Sequence, residues 1–303
     1  MITRLFLHLL VLFALAPLLP GVIGKTKALF GGRKGAPFLQ HYFNLWKLFG
    51  KGLVISRTTT WIFRTGPVVG LAVPVIASLF VPFGSLTAPL GFNGDMIFVI
   101  YLFALSRFCT ATAALDTGSA FEGMGAAREV TFACLAEPAL FFSLIVIARL
   151  TGSLSLTEML GPGLLAGWHG AAASLILVLV CLFVVVLVEN CRIPFDDPNT
   201  HLELTMIHEV MVLDHSGPDL ALIFYGAAMK LLVLGAVVVR VAIPVNLGNQ
   251  ALDLGVFILG MIGLAVLIGV IESIMARLQL LRIPQFLIGT ILLSFFSLIM
   301  LLR

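Results

Sequence analysis

Long apolar runs broken by short polar stretches dominate this chain, and their lengths set the first expectation. Leu, Val, Ile, Phe and Ala fill segments of about 20 residues, the length at which an α-helix crosses a hydrocarbon core about 30 Å thick. The pattern predicts about eight such helices, near 3–24, 61–83, 95–115, 130–150, 170–190, 219–241, 252–271 and 284–302. The first resembles a secretory leader because Arg4 precedes an apolar stretch. It ends in Leu-Leu-Pro-Gly without a small-x-small cleavage site, and more spans follow, so it reads as a membrane helix. The expected fold is an all-α polytopic membrane protein, a single transmembrane domain over residues 1–303.

Two stretches depart from the pattern. Residues 37–53 read PFLQHYFNLWKLFGKGL, with Phe38, Tyr42, Leu45, Trp46 and Phe49 at helical spacing and Gln40, Asn44, Lys47 and Lys51 on other faces. That is an amphipathic helix of the kind that lies in a membrane interface, either as an anchor or as a lid or floor for a cavity. Residues 188–217 read VENCRIPFDDPNTHLELTMIHEVMVLDHSG. Pro194 and Pro198 stop the preceding helix. Asn199 or Thr200 can cap a short helix over about 200–213 that carries Glu203 and Glu209 and ends at Asp214, His215 and Ser-Gly-Pro.

Composition agrees with a membrane protein. The chain is 60% hydrophobic and 11% charged, against about 25% charged residues in soluble domains. Its net charge of +3 is not spread as on a nucleic-acid-binding surface. Positive residues concentrate in a basic segment, 25–57, which holds Lys25, Lys27, Arg33, Lys34, Lys47, Lys51 and Arg57 without an acid. The third, fifth and seventh connections add Arg128, Arg192, Arg277 and Arg282. Lysine and arginine stay on the cytoplasmic side. Both termini are therefore expected outside, with residues 189–218 forming an acidic cytoplasmic loop. The seven acids from Glu189 through Asp219 have only Arg192 as a local counter-charge, so the basic segment is the expected donor.

Charges inside apolar runs are candidates for chemistry, because an isolated one costs about 2.5–3.5 kcal/mol at the bilayer centre. Glu137, ahead of Pro138, can exchange a proton; the proline can kink the helix and admit water. Lys230, deep in the sixth span, and Glu189, at the end of the fifth, join it. Arg64 and Arg107, near span ends, are expected to snorkel, and Asp95, Arg149, Arg240 and Asp253 to mark the interface. His201, His208 and His215 recur every seven residues but form no HExxH; they read as cavity-lining groups rather than a metal site. Cys109, Cys134, Cys181 and Cys191 show no CxxC or iron–sulfur spacing. There is no phosphate-binding glycine loop and no nucleophile–base pair, so no catalytic residue, metal site or cofactor site is expected in this chain.

Taken together, RKGAPFLQ after the first helix, GAAREVTFACLAEPAL, ENCRIPFDDPNTHLEL with HEVMVLDHSG, and the lysine of span six resemble the respiratory complex I subunit 1 family, a membrane component of NADH–quinone oxidoreductases. The resemblance spans essentially the whole chain. It is nearer the hydrogenase-4 component C and formate hydrogenlyase branch of membrane-bound nickel–iron hydrogenases: quinone-dependent members typically have Glu-Thr-Asn-Arg where this chain has Glu189-Asn190-Cys191-Arg192. It implies a noncatalytic adaptor in the prokaryotic cytoplasmic membrane. Its partners would be hydrogenase large and small subunits and an iron–sulfur subunit, which hold the nickel–iron centre and the clusters, together with antiporter-like membrane subunits and lipid. Proton-coupling groups carried over by the resemblance are Glu137, Glu189, Asp196, Glu203, Glu209 and Lys230. Supporting or docking groups are Arg192, Asp197, His201, His208, Asp214, His215, Arg33 and Lys34. A quinone-site subunit and an autonomous ion transporter are the alternatives.

Overall fold

Eight helices among the described residues are long and apolar enough to cross a membrane, at positions that track the sequence pattern. The structure is a computed structural model and describes residues 2–196, 207–244 and 247–302. In chain order the helices are α1 (Ile2–Leu15), α2 (Leu18–Phe30), α3 (Gln40–Phe49), α4 (Trp61–Ser78), α5 (Asp95–Asp116), α6 (Ala120–Thr151), α7 (Leu156–Met159), α8 (Leu164–Glu189), α9 (His208–Met211), α10 (Gly217–Ala242), α11 (Gln250–Ile274) and α12 (Ile283–Leu302). Among the described residues the only β-pairing is an isolated bridge between Phe83 and Leu86.

Helix ends differ from expectation in ways that matter. The first span is α1 and α2 together, interrupted at Ala16–Pro17 where proline lacks the donor a continuous helix needs, and it runs on to Phe30. Lys25 and Lys27 are thereby helical residues. The fourth span begins at Ala120, ten residues before the expected start at 130, so GAAREV is helix rather than connection. It continues through Pro138. Of the helix expected over 200–213, one turn, α9, lies in the described residues.

α10 is the axis of the packing: it touches α1, α2, α3, α4, α8 and α11. Its C-terminal half, from Leu231 to Val241, is buried throughout. Contact with α4 is closest at Gly226, where a Cβ would collide with the carbonyl oxygen of Gly70. Only glycine permits that approach. A second pair, α6 and α12, packs on α8, and α11 lies against α2.

α3 is the expected amphipathic helix. It rests on α10 and α2, with Tyr42 donating to the carbonyl of Ala14. None of its residues is buried, and Trp46 is 85% exposed. Phe43, Trp46 and Phe49 form an apolar side suited to a bilayer interface. The segment that follows is pinned to the start of α10: Val54 N–H donates to Ser216 Oγ and Ser216 Oγ donates to Val54 O, both at 3.0 Å.

Candidate functional site

The last turn of α8 sets the geometry of the site. Cys191 N–H reaches Val188 O (3.0 Å) and Arg192 N–H reaches Leu187 O (2.8 Å), the two bonds of a Schellman cap. The left-handed position of that cap normally belongs to glycine, yet Cys191 occupies it at φ 49°. Its thiol consequently points at α6, where Sγ donates to Glu129 Oε2 at 3.7 Å. The cap also ends the helix at Glu189 and turns the chain so that Arg192 and Asp196 face other partners.

Arg107, on α5, is the hub. It donates through Nη1 to Glu137 on α6 and through Nη2 to Glu189 on α8, the latter at 2.6 Å. Its Nε lies 3.9 Å from Glu129. Lys230, from α10, approaches the other oxygen of Glu189 at 2.7 Å. Four helices thus contribute two cations and three carboxylates to one cluster. Burying any of these charges alone would be prohibitive, and the arrangement works because each faces an opposite charge.

A cavity of about 90 Å³ adjoins the cluster, enough for several water molecules. Its walls include Gly66, Pro67, Gly70 and Pro74 of α4, Arg107 and Thr110 of α5, Glu129, Glu189 and Lys230, with Cys191, His208 and His215 toward one end. Small residues and prolines on α4 leave this space because they have little side chain to fill it. α3 supplies none of the lining residues, which favours the anchor reading for that helix over a lid. His215 stacks on Phe63 at 3.9 Å, and burial pushes its imidazole down to about 4. His208 is likewise lowered, by burial first.

A second set of charges lies at the same end of the bundle. Asp196 is bonded to Arg277 at 3.0 Å and accepts the N–H groups of Ile207 and His208, so it holds the chain where it re-enters the described residues. Glu272, fully buried on α11, takes Lys27 at 2.9 Å and Arg192 at 3.5 Å. His41 of α3 is lowered by burial and by the nearby charge of Arg192. Glu122 accepts the N–H of Asp214.

Measured against expectation, Glu137, Glu189 and Lys230 come together in one site, with His208 and His215 at its cavity. Asp196 and Arg192 are nearby but paired elsewhere. Glu209 is half-buried on α9, and Asp214 is exposed. Arg33 and Lys34 are exposed after α2, apart from the cluster. Asp197, His201 and Glu203 lie outside the described residues. Three expectations are corrected. Arg107 does not snorkel; its side chain is 10% exposed and organises the site. The counter-charges found for Glu189 and Asp196 come from Arg107, Lys230 and Arg277 rather than from the basic segment. Asp95, Arg240 and Asp253 do more than mark helix ends: each is buried and hydrogen-bonded to a neighbouring segment. Sequence reasoning missed Glu129 and Glu272 altogether. Once α6 is extended, Glu122, Glu129 and Glu137 fall seven and eight residues apart along roughly one side of a helix, a signal the short span hid.

Among the described residues no group of three or more His, Cys, Asp or Glu side chains converges as a metal site. The four cysteines are free and dispersed. These residues do not fit a metal centre or cluster.

Comparison with known proteins gives concordant matches. Residues 2–302 match the family described as NADH dehydrogenase. Hydrogenase-4 component C of Escherichia coli (strain K12) is 32% identical over 273 residues, 88% of this chain and 85% of that protein. Formate hydrogenlyase subunit 4 of the same organism is 32% identical over 278 residues, 89% of each. Among solved structures, a chain of the membrane-bound sulfane sulfur reductase, an archaeal respiratory membrane complex, superposes with a TM-score of 0.85 at 21% identity, covering 99% of this chain and 98% of that one. The last shows the shared fold.

Proposed function

The chain belongs to the NADH dehydrogenase family, and on that footing we propose that it anchors and couples the redox module of a membrane-bound nickel–iron hydrogenase. The names of its two hydrogenase relatives support the choice of branch. The observation that carries the coupling role is the Arg107 cluster, in which carboxylates that lipid would reject are gathered beside a cavity with room for water. The chain is a noncatalytic multi-pass membrane subunit. In this reading both termini face outward and the connections bearing Arg33, Lys34 and the 189–218 loop face the cytoplasm, where the hydrogenase large and small subunits and an iron–sulfur subunit dock.

We read three sets of paired charges as a series from that end inward. Glu272 with Lys27 and Arg192 comes first, then Asp196 with Arg277, then the cluster of Glu129, Glu189, Lys230, Arg107 and Glu137. Electron transfer in the docked module changes the field at Asp196 and, in the loop, at Glu203. The cations of the series re-partition between carboxylates, and a proton is taken up or released at the inner cluster. The Glu137 side chain is 37% exposed on the flank of the bundle in mid-span, where it meets an antiporter-like neighbour rather than lipid. Each elementary charge moved against 100 mV requires about 2.3 kcal/mol, supplied by the partner's redox chemistry.

Isolation of the native assembly through this chain tests the reading. Co-purifying nickel, iron–sulfur protein and hydrogen evolution is the expected result. An assembly without nickel that oxidises NADH and holds quinone would overturn it in favour of a quinone-site subunit, and ion flux by this chain alone in liposomes would make it an autonomous transporter.

A further inference from the structure

The charges around Arg107 do not balance. Arg107 and Lys230 offer two positive charges to the three carboxylates of Glu129, Glu137 and Glu189, leaving one negative charge over if all are ionised. In a protein interior a surplus carboxylate is relieved most simply by a proton. The hydrogen bonds say which carboxylate is least compensated. Glu189 faces two cations, and Glu137 accepts a guanidinium N–H. Glu129 has its cationic neighbour, Arg107 Nε, at 3.9 Å, beyond hydrogen-bond range, and that Nε is buried without a hydrogen-bond partner.

Position gives a second argument. Glu129, together with Glu189 and Cys191, lines both the large cavity and a smaller one of about 10 Å³, room for roughly one water, whose walls include Asp196, Phe195 and Ile207. Of these three, Glu189 is already held by two cations and Glu129 is the carboxylate that is not. Its carboxyl therefore stands where two separate spaces meet, one reaching toward the Asp196–Arg277 pair and one toward Lys230.

We propose that Glu129 is a proton-carrying carboxyl that exchanges one proton between the two cavities. This rests on reading the cluster as a proton-coupling site and names the atom group that holds the proton. In the step, a hydronium ion in the smaller cavity gives its proton to a Glu129 carboxylate oxygen: one hydronium O–H bond breaks, one O–H bond forms on Glu129, neutral water is left, and the cluster becomes neutral. Release breaks that O–H bond and forms one on a water of the larger cavity, which leaves as hydronium. The groups facing Glu129 are Arg107 from α5, which Glu137 also shares, Glu189 from α8, Cys191 and Asp196 after it, His208 from α9 and Lys230 from α10. α12 packs on α6 but presents only Ile283 to the smaller cavity. Burial and the adjacent carboxylates keep the Cys191 thiol protonated, so it donates to Glu129 rather than competing for the proton.

Infrared difference spectroscopy of the purified assembly, titrated in pH with carbon-13-labelled glutamate, reads the carboxylic acid directly. Wild type should show one titrating C=O band per chain. The band should vanish in Glu129→Gln, shift in Glu129→Asp and persist in Glu137→Gln. A band that survives Glu129→Gln, or no titrating band in wild type, overturns the assignment. Where Glu129→Gln fails to assemble, an unshifted band in Glu129→Asp overturns it equally. An assembly without nickel that keeps this band defeats the hydrogenase reading and leaves the proton site standing.

Discussion

The two ends of the bundle hold buried charge differently: one end holds cation–carboxylate pairs, the other holds its charges mainly through backbone groups. At the end carrying the 190–216 segment, side chains bond to one another: Arg107 to Glu137 and Glu189, Lys230 to Glu189, Arg277 to Asp196, Lys27 to Glu272. At the other end they bond mainly to backbone, Asp95 accepting from the Ser155 hydroxyl as well. Arg240 donates twice to Leu160 O, at 3.1 and 2.7 Å, Asp95 accepts the N–H of Leu156, Asp253 accepts that of Leu247, and Trp168 donates to Val241 O. A charge tied to a fixed peptide has one partner and one geometry. A charge shared among several titratable groups has alternatives, and small shifts in field change which alternative is lowest. Between the ends lies an apolar gap of about 30 Å³ walled by Val99, Phe103, Leu182 and Val238 among others. The polar region therefore does not continue straight through to the far end along this gap.

The sharpest way to break the contrast is to remove the hub. Arg107→Met strands Glu137 and Glu189 without their guanidinium, and breaking a buried pair of this kind costs about 3–5 kcal/mol. Thermal unfolding in detergent should show the loss; an unchanged midpoint would mean that the cluster is too hydrated to need its arginine.

A pH effect comes next. The depressed imidazole of His215 has a folded-state value of about 4 against 6.5 when unfolded. Between those values the unfolded chain binds the extra proton, so stability is complete above pH 6.5 and falls as pH drops through the window, by about 1.4 kcal/mol per unit at most. His215→Gln should flatten this slope in midpoint-against-pH measurements.

At the opposite end, Arg240→Met removes two charged hydrogen bonds to one carbonyl and should cost about 1.5–3 kcal/mol. It should leave ions moved per electron unchanged, which Arg107→Met should not. Trp168→Phe, the mildest, loses one hydrogen bond, about 0.5–1.5 kcal/mol. A coupling defect in either outer-end variant would erase the distinction between the two ends.

Much of this was legible in the sequence, for a physical reason. A run of about 20 apolar residues has few alternatives to a membrane helix, so the spans were recoverable. Glu137 and Lys230 stood out because charge within such a run is costly. Arg107, Glu129 and Glu272 did not. Each lies near an expected helix end, where a charge can reach water on its own, and only the longer α6 and the packing of α5 and α11 show them enclosed. The same ambiguity disguised Asp95, Arg240 and Asp253. Hydropathy records how far a residue lies from a span's end and is blind to what the neighbouring helices place above it.

The central claim is that the enclosed carboxylates convert redox chemistry into ion movement. It is tested most directly by the ratio of ions translocated to hydrogen evolved in sealed vesicles holding the assembly with Glu137→Gln. The account predicts an assembled complex whose hydrogen evolution continues while the ratio collapses. A variant that assembles, turns over and keeps the wild-type ratio would contradict it.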